Sequence, residues 1–265
     1  MSELLVRPSG TSGKVIEITP QSAGWRYVGF ELHKLAAGET VSAQTGEREV
    51  CLVFVTGTGR VDAGGRALGE MGGRKSPFEG KPAAVYVPGE NTWSVTAVSD
   101  VELAVCSAPA LTSREIVVIG ADAMSQEVRG KGTNTRHVTN ILPETDGVAD
   151  SLLVVEVITP GGHTSSYPPH KHDRDALPEE SYLEETYYHR LNPHQGYAFQ
   201  RVYTEDRSLD EVLLIENGVT TLVPKGYHPC AAIHGYDLYY LNVMAGPHRQ
   251  WKFYNQPEHE WLLGR

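Results

Sequence analysis

The sequence contains little cysteine, no long apolar run and no excess of basic residues. Three cysteines, Cys51, Cys106 and Cys230, are too few and too widely spaced for a disulfide framework. No stretch approaches the roughly 18 apolar residues that span a bilayer, and the N-terminus lacks the apolar centre of a signal peptide. The net charge of -10 disfavours nucleic acid and anionic membranes as partners. We therefore expect a soluble cytoplasmic protein, with a small anionic substrate left open.

Histidine is scarce in the first half of the chain. Of 11 histidines, only His33 and His137 precede residue 160, and the other nine lie between His163 and His259. Scattered surface histidines would be distributed more evenly along the chain. Any imidazole chemistry is therefore expected in the second half.

Long helical patterns are missing, and short apolar runs punctuated by Gly and Pro take their place. Examples are Gly24–Glu31, Glu49–Val55, Ser94–Cys106 and Tyr197–Tyr203. Such runs predict strands, and their turn signals are typical of β-sandwiches and barrels. Helix is expected only in short turns such as Gly120–Glu127. The predicted fold class is all-β.

An internal repeat relates the two halves. Val85–Ala108 and Leu222–Ala245 each contain an apolar strand, a turn that begins with Pro, a ring-bearing residue (Trp93 or His228), and a second strand after an Asp. This pattern predicts two tandem β-barrels, with a linker in the polar stretch Gly120–Asp150.

A candidate metal site begins with His170-Lys171-His172. Residues i and i+2 of a strand point to the same face, so both imidazoles would project together with Lys171 opposite. A carboxylate follows at the start of the next β run, where Glu185 or Glu184 supplies it. Imidazoles with a carboxylate suit a divalent ion that acts as a Lewis acid, such as Zn²⁺ or Mn²⁺, with Fe²⁺ as the alternative.

The last ligand is expected from a strand far along the chain. The segment Pro224–His228 supplies it, because Pro224 and Gly226 turn the chain and His228 then enters at a strand start. His-x-His, Glu and Pro-x-Gly-x-His, in this order on a β-rich chain, predict metal binding.

These blocks resemble the two conserved blocks of the cupin superfamily, and much more of the chain resembles one family within it, 5-deoxy-glucuronate isomerase of inositol catabolism. The resemblance is carried by GWRYVGFE (Gly24–Glu31), PPHKHD (Pro168–Asp173), PEESYLEETYYHR (Pro178–Arg190), GYAFQRVYTEDRSLDE (Gly196–Glu211), VPKGYHP (Val223–Pro229), HGYDLYYLNVMAGP (His234–Pro247) and WKFYNQPEHEW (Trp251–Trp261). It runs nearly end to end and is densest in the second half.

The resemblance implies a bicupin, with two tandem jelly-roll barrels and one metal ion. Residues 1–130 would form an N-terminal cupin-like barrel without a metal site, and residues 131–265 a C-terminal metal-binding barrel. It also implies interconversion of 5-deoxy-glucuronate and 2-deoxy-5-keto-gluconate without a nucleotide cofactor. Its metal ligands fall on His170, His172, Glu185 and His228. The spacing departs from the general cupin pattern, so Glu184 and His234 remain rival ligands.

An aldose–ketose isomerase also needs groups that move protons and a cation that holds the substrate carboxylate. The candidate bases are Glu184 and Glu156, and the candidate proton donors are Tyr187 and Tyr203. The candidate carboxylate-binding residues are Arg201, Arg190 and Lys171.

Three other functions remain open from the sequence. One is the related 5-keto-4-deoxyuronate isomerase activity, which would use the same metal geometry on a similarly acidic sugar. The second is a metal-dependent cupin dioxygenase, and the third a non-catalytic sugar-binding cupin. Homo-oligomerisation is left open as well.

Overall fold

The computed structural model describes residues 2–264. Strands account for 52% of the chain and helices for 6%, which confirms the all-β class. None of the helices in the described part of the chain is long and apolar enough to cross a membrane. All three cysteines are buried free thiols.

The regular elements are short and nearly all extended. The first twelve strands are β1 (Leu5–Val6), β2 (Gly13–Ile18), β3 (Gly29–Leu35), β4 (Thr40–Gln44), β5 (Arg48–Thr56), β6 (Thr58–Ala63), β7 (Arg66–Gly72), β8 (Ala83–Val87), β9 (Thr92–Ala97), β10 (Val101–Pro109), β11 (Val117–Ile119) and β12 (Ser125–Arg129). The others are β13 (Arg136–Leu142), β14 (Leu153–Thr159), β15 (Thr164–Ser165), β16 (His170–Lys171), β17 (Asp173–Ala176), β18 (Glu180–Tyr182), β19 (Glu184–Asn192), β20 (Tyr197–Tyr203), β21 (Asp210–Glu216), β22 (Thr220–Val223), β23 (Cys230–Ala232), β24 (Asp237–Ala245) and β25 (Tyr254–Asn255). The helical segments are α1 (Pro20–Ala23) and the 3₁₀ segments Ala121–Ala123, Gly132–Asn134 and Pro257–Gly264.

The chain divides into two compact units. The N-terminal unit contains Pro8–Ser125 and Asn140–Val154, and the C-terminal unit contains the residues up to Arg7, Gln126–Thr139 and the residues from Val155 onward. Each unit therefore includes chain from more than one region of the sequence. The division expected from the sequence, 1–130 and 131–265, stays a prediction.

Two sheets pack face to face in the N-terminal unit. One has the strand order β11-β8-β5-β10-β3-β2 and the other β4-β9-β6-β7. Their facing side chains form one apolar core that includes Leu52 and Leu103 from the first sheet and Val61, Trp93 and Val95 from the second. Apolar burial on both inner faces is what holds such a pair of sheets together.

Glu49 is a buried carboxylate on β5 that holds another segment of the same unit by hydrogen bonds. It accepts hydrogen bonds from Tyr86 Oη at 2.6 Å and from the main-chain N–H groups of Asp150, Ser151 and Leu152 at 2.6–2.8 Å. A buried carboxylate is tolerated when such donors replace water. Glu49 therefore fixes the segment that leads into β14.

The C-terminal unit is built mainly from a sheet of order β1-β22-β19-β24-β14-β13-β12 and a sheet of order β15-β23-β20-β21. Two smaller pairs, β16-β25 and β17-β18, complete it. Gln200 of β20 lies 3.2 Å from the ring of His189 on β19, measured from Oε1 to Nε2. The interior between these two sheets therefore contains polar side chains.

Two sequence-based boundaries differ from the structure. The predicted strand Gly24–Glu31 begins only at Gly29, because the indole of Trp25 donates to the Val28 oxygen at 2.8 Å and closes a turn. The predicted linker Gly120–Asp150 contains β12 and β13. Strand β12 lies at a sheet edge with mostly exposed side chains, so its polar composition resembles that of a linker.

Replacing Glu49 tests the internal anchor of the N-terminal unit. We expect Glu49→Gln to lower the free energy of unfolding by about 2–3 kcal/mol. The amide NH₂ of the glutamine would replace one carboxylate oxygen, and a buried main-chain N–H group would then lose its acceptor. Urea denaturation measures this change. Glu47→Gln is the matched control, since Glu47 is exposed, and equal stability of the two variants would contradict the assignment.

Candidate metal centre

Three buried side chains of the C-terminal unit converge on one point. Glu185 projects from β19, His172 follows β16, and His228 precedes β23. Glu185 Oε2 lies 3.1 Å from His172 Nε2 and 3.3 Å from His228 Nε2. One ligand atom from each of the three lies within 4.8 Å of the others. The structure thus brings together three residues that the sequence nominated separately.

The orientation of the two imidazoles is fixed by main-chain acceptors. His172 Nδ1 lies 2.9 Å from the Leu183 oxygen, and His228 Nδ1 lies 2.9 Å from the Gly226 oxygen. A carbonyl oxygen can only accept, so both Nδ1 atoms carry hydrogen and both Nε2 atoms face Glu185. This arrangement is typical of metal-binding histidines.

The protonation of the cluster suits a cation. Burial lowers the pKa of His228 to about 4, so its Nε2 presents a lone pair at neutral pH, and this buried atom has no hydrogen-bond partner in the described structure. Burial opposes a charge on His172, but the hydrogen bond and the charge of Glu185 raise its pKa. A divalent ion would displace the proton that His172 and Glu185 otherwise share. The donor set therefore fits a metal ion.

His170 lies beside this group of three. Its ring centroid is 5.0 Å from that of His228 and 6.4 Å from that of His172. Burial and the neighbouring imidazoles hold the pKa of His170 well below its usual value. His170 is thus a neutral nitrogen donor at the edge of the cluster.

Strand alternation separates Glu185 from its rival. Glu185 is directly opposite Met244 in β24, and Glu184 is opposite Ala245. Successive side chains of a strand point to opposite faces, so Glu184 is buried on the face away from the imidazoles. The other rival ligand, His234, is exposed.

The second candidate base also lies on the far face. Tyr239 is opposite Arg190 in the β19–β24 pair, which places Tyr239 on the same face as Glu184. The Tyr239 hydroxyl donates to Glu156 at 3.1 Å. The structure therefore does not bring Glu156 or Glu184 to the cluster.

Tyr187 is brought to the cluster, because it lies two residues after Glu185 on the same face of β19. Its ring centroid is 5.8 Å from that of His228, and its hydroxyl lies 3.0 Å from Ser166 Oγ. Burial, and then the charge of Glu185, raise its pKa well above the usual value. Tyr187 therefore carries its proton at neutral pH. Tyr203, the other candidate donor, gives its hydroxyl hydrogen bond to Gln256 at 2.6 Å.

The three residues predicted from the sequence to bind the substrate carboxylate all contact other protein side chains. Arg201 lies on the exposed face of β20 and binds Asp210 through two contacts of 2.7 Å. Arg190 donates to Asn217 at 3.0 Å. Lys171 is the third, and its side chain points away from the imidazoles into a group of charges around the buried Glu180.

This group of charges consists of Lys171, Asp173, Arg174 and Glu180. Lys171 Nζ lies 2.6 Å from Asp173 and 3.0 Å from Glu180, and Arg174 also contacts Glu180 at 2.8 Å. Asp173 Oδ2 accepts a hydrogen bond of 2.8 Å from the main-chain N–H of Gly226. The group therefore ties the His170–His172 segment to the turn that presents His228.

A cavity of about 770 Å³ reaches the cluster at His170. Its lining includes Tyr167, Pro168, Phe253 and Asn255, together with the segment that runs from residue 130 to 136. This segment lies in the stretch predicted as a linker from the sequence, and none of its residues was a candidate site residue. The signal available there was a Gly-rich stretch with basic residues, GKGTNTR, within an acidic chain.

The sheets and the His/Glu group together define a cupin-like β protein with a candidate metal site. The fold resembles that of Lactobacillus farciminis oxalate decarboxylase in a formate complex, with a TM-score of 0.69 and 14% identity over 100% of this chain and 91% of that chain. At that identity the likeness concerns the fold alone.

The chain belongs to the KduI/IolB family, whose model matches residues 4–262. It is 51% identical to a 5-deoxy-glucuronate isomerase of Geobacillus kaustophilus (strain HTA426), over 99% of this chain and 96% of that protein. It is 48% identical to the 5-deoxy-glucuronate isomerase of Bacillus subtilis (strain 168) over the full length of both. The crystal structure of an IolB-like protein from Salmonella typhimurium LT2 has a TM-score of 0.97 and 50% identity, and covers 99% of this chain and 100% of that one.

A pair of substitutions on one strand tests the ligand assignment. We expect Glu185→Gln to weaken divalent metal binding by at least about 10²-fold, because it removes the charged oxygen that lies between the two imidazoles. Glu184→Gln changes an equally buried neighbour on the opposite face and should retain the metal. Elemental analysis and titration against a chromophoric chelator measure both variants. Metal loss in Glu184→Gln alone would reverse the assignment.

Proposed function

We propose that this chain is a metal-dependent aldose–ketose isomerase that converts 5-deoxy-glucuronate into 2-deoxy-5-keto-gluconate in inositol catabolism. The observation that carries the proposal is the buried group of His172, Glu185 and His228, whose free nitrogen lone pair has no other use in the described structure. The full-length likeness to 5-deoxy-glucuronate isomerases of two bacilli supports the choice of substrate. The active protein would work in the cytoplasm on a small acidic sugar.

The proposal includes a bicupin architecture. Two packed sheets in the N-terminal unit, and two in the C-terminal unit, support a pair of jelly-roll barrels. Most of residues 1–130 would form the barrel without a metal, and most of residues 131–265 the barrel that contains the active site, with β1 and β12 in the sheet of the second barrel.

The metal would be held by His172, Glu185 and His228, with His170 as the fourth ligand. Zn²⁺ and Mn²⁺ both suit this set of nitrogen and oxygen donors, and Fe²⁺ is the alternative. The ion would act as a Lewis acid towards the carbonyl and hydroxyl oxygens of the substrate.

Tyr187 would manage the proton between those two oxygens. During isomerisation the hydrogen on C2 moves to C1, the aldehyde oxygen gains a proton and the neighbouring hydroxyl oxygen loses one. The C2 hydrogen would pass directly to C1 as a hydride, so the protein would move only the proton between the two oxygens. Tyr187 Oη holds a proton at neutral pH and lies 3.0 Å from the hydroxyl of Ser166, so the pair can donate at one oxygen and accept at the other. Glu184 and Glu156 have no part in this proposal, because their side chains lie on the far face of the sheet.

Turnover with and without chelator tests the proposed activity. We expect the purified protein to isomerise 5-deoxy-glucuronate, to lose this activity after chelation, and to regain it with Zn²⁺ or Mn²⁺, which product analysis by NMR would follow. Parallel samples with 5-keto-4-deoxyuronate, and with oxalate under an oxygen electrode, examine the other activities of this fold. Turnover of one of these in place of 5-deoxy-glucuronate would contradict the proposal.

A tyrosine substitution tests the proton assignment separately. We expect Tyr187→Phe to lower kcat by about 10²-fold with little change in metal content, because a single proton-transfer group is removed. Tyr197→Phe is the control, since Tyr197 is exposed on the outer face of β20. An unchanged kcat in Tyr187→Phe would remove this residue from the reaction.

A further inference from the structure

In the part of the chain that the structure describes, the cavity beside His170 contains a guanidinium without an ionic partner, that of Arg136. Arg136 begins β13 and lines this cavity within the C-terminal unit. Its Nη1 donates to the Asn134 main-chain oxygen at 3.1 Å, to Asn134 Oδ1 at 3.2 Å and to the Tyr167 oxygen at 3.3 Å. All three acceptors are neutral. Within residues 2–264, Nε and Nη2 of Arg136 make no hydrogen bond.

The loop before Arg136 is shaped to hold this side chain. Gly130 has a φ of 77°, and a Cβ at this position would lie 2.1 Å from the Asn134 oxygen and 2.8 Å from Arg136 Nη1. Asn134 is itself fixed, because its Nδ2 donates to the Tyr167 oxygen at 3.0 Å. The guanidinium is therefore anchored on its Nη1 side, while its other edge remains available.

The charge of Arg136 is not neutralised by its surroundings. Burial holds its pKa below the usual value, and the nearby acid Glu127 already pairs with Arg129 at 2.6 Å. A half-buried cation without a counterion is costly, and a ligand carboxylate would relieve that cost. The Nε and Nη2 edge is also a fork that matches both oxygens of a carboxylate.

The position of Arg136 suits a ligand that also reaches the metal centre. The cavity of about 770 Å³ has Arg136 and His170 in its lining, and the His170 ring is 5.0 Å from that of His228. Its volume lies within the range of small-molecule sites. The three cations predicted from the sequence to bind a carboxylate are bound to protein groups, namely Arg201, Arg190 and Lys171.

We propose that Arg136 binds the carboxylate of the sugar substrate in this cavity and thereby selects acidic over neutral sugars. The inference rests on the proposed isomerase function for the identity of the substrate. Arg136 would hold the acid end while the carbonyl end is placed towards the His/Glu cluster, so it sets which sugars enter and how they are oriented.

Binding of two stable sugars tests this selection without any turnover. D-glucuronate and D-glucose differ in the carboxylate, and isothermal titration calorimetry would measure the affinity of each. We expect the unaltered protein to bind D-glucuronate more tightly than D-glucose. Arg136→Gln should lower the affinity for D-glucuronate by about 10²- to 10³-fold and leave the affinity for D-glucose nearly unchanged. Arg201→Gln is the control, because this arginine is paired on the outer face of β20, and it should behave like the unaltered protein.

Several outcomes would overturn the proposal. One is an equal loss of affinity for both sugars in Arg136→Gln, which would indicate a structural role for the residue. Another is an unchanged affinity of Arg136→Gln for D-glucuronate. The third is an unaltered protein that does not prefer D-glucuronate over D-glucose. If Arg136→Gln does not fold, Arg136→Lys keeps the charge but loses the fork. Arg136→Lys should lower the affinity for D-glucuronate by at least about 10-fold, and an unchanged affinity would count against the proposal.

Kinetics separate this inference from the function on which it rests. With 5-deoxy-glucuronate, Arg136→Gln should lower kcat/KM by about 10²- to 10³-fold and leave the metal content unchanged. If the unaltered protein turns over this sugar and Arg136→Gln does so equally well, the role of Arg136 is wrong and the isomerase function stands. If the unaltered protein does not turn it over, the proposed function fails, and the binding comparison still decides the role of Arg136.

Discussion

The buried carboxylate of Glu185, held between the Nε2 atoms of His172 and His228, is the interaction on which the rest of the site depends. An ionised carboxylate in the protein interior needs compensating charge or hydrogen bonds. Here the compensation comes from imidazoles whose outer nitrogens are tied to main-chain oxygens, so the rings cannot rotate away. A divalent cation would satisfy all three groups at once.

The segments around this centre are organised to keep it in place. The charges of Lys171, Asp173 and Glu180 lie on the far side of the His-x-His segment and connect it to the turn at Gly226. Outer contacts of this kind set the orientation of metal ligands. The lysine between the two histidines therefore supports the His-x-His segment, and under the proposed function a cation that faces the substrate would come from elsewhere in the chain.

The strands, and the side chains that form the His/Glu cluster, could be predicted because they depend on local periodicity. A strand has a period of two, so the sequence could nominate His170 and His172 together and restrict the carboxylate to Glu184 or Glu185. The order of His-x-His, Glu and Pro-x-Gly-x-His also carried the resemblance to the cupin superfamily. Residues that act through distant contacts could not be ranked, because nothing local distinguishes Arg201, which binds Asp210, from Arg136.

The sequence by itself determined the all-β class, the location of the histidine cluster in the second half and the family. The tertiary structure decided which of two adjacent glutamates faces the histidines, because register in β19 assigns neighbouring side chains to opposite faces. It also decided that Glu156 lies behind the sheet with Tyr239, and that the segment read as a linker brings Arg136 to the cavity. These outcomes depend on pairing between residues far apart in the chain, which no local pattern of residues encodes.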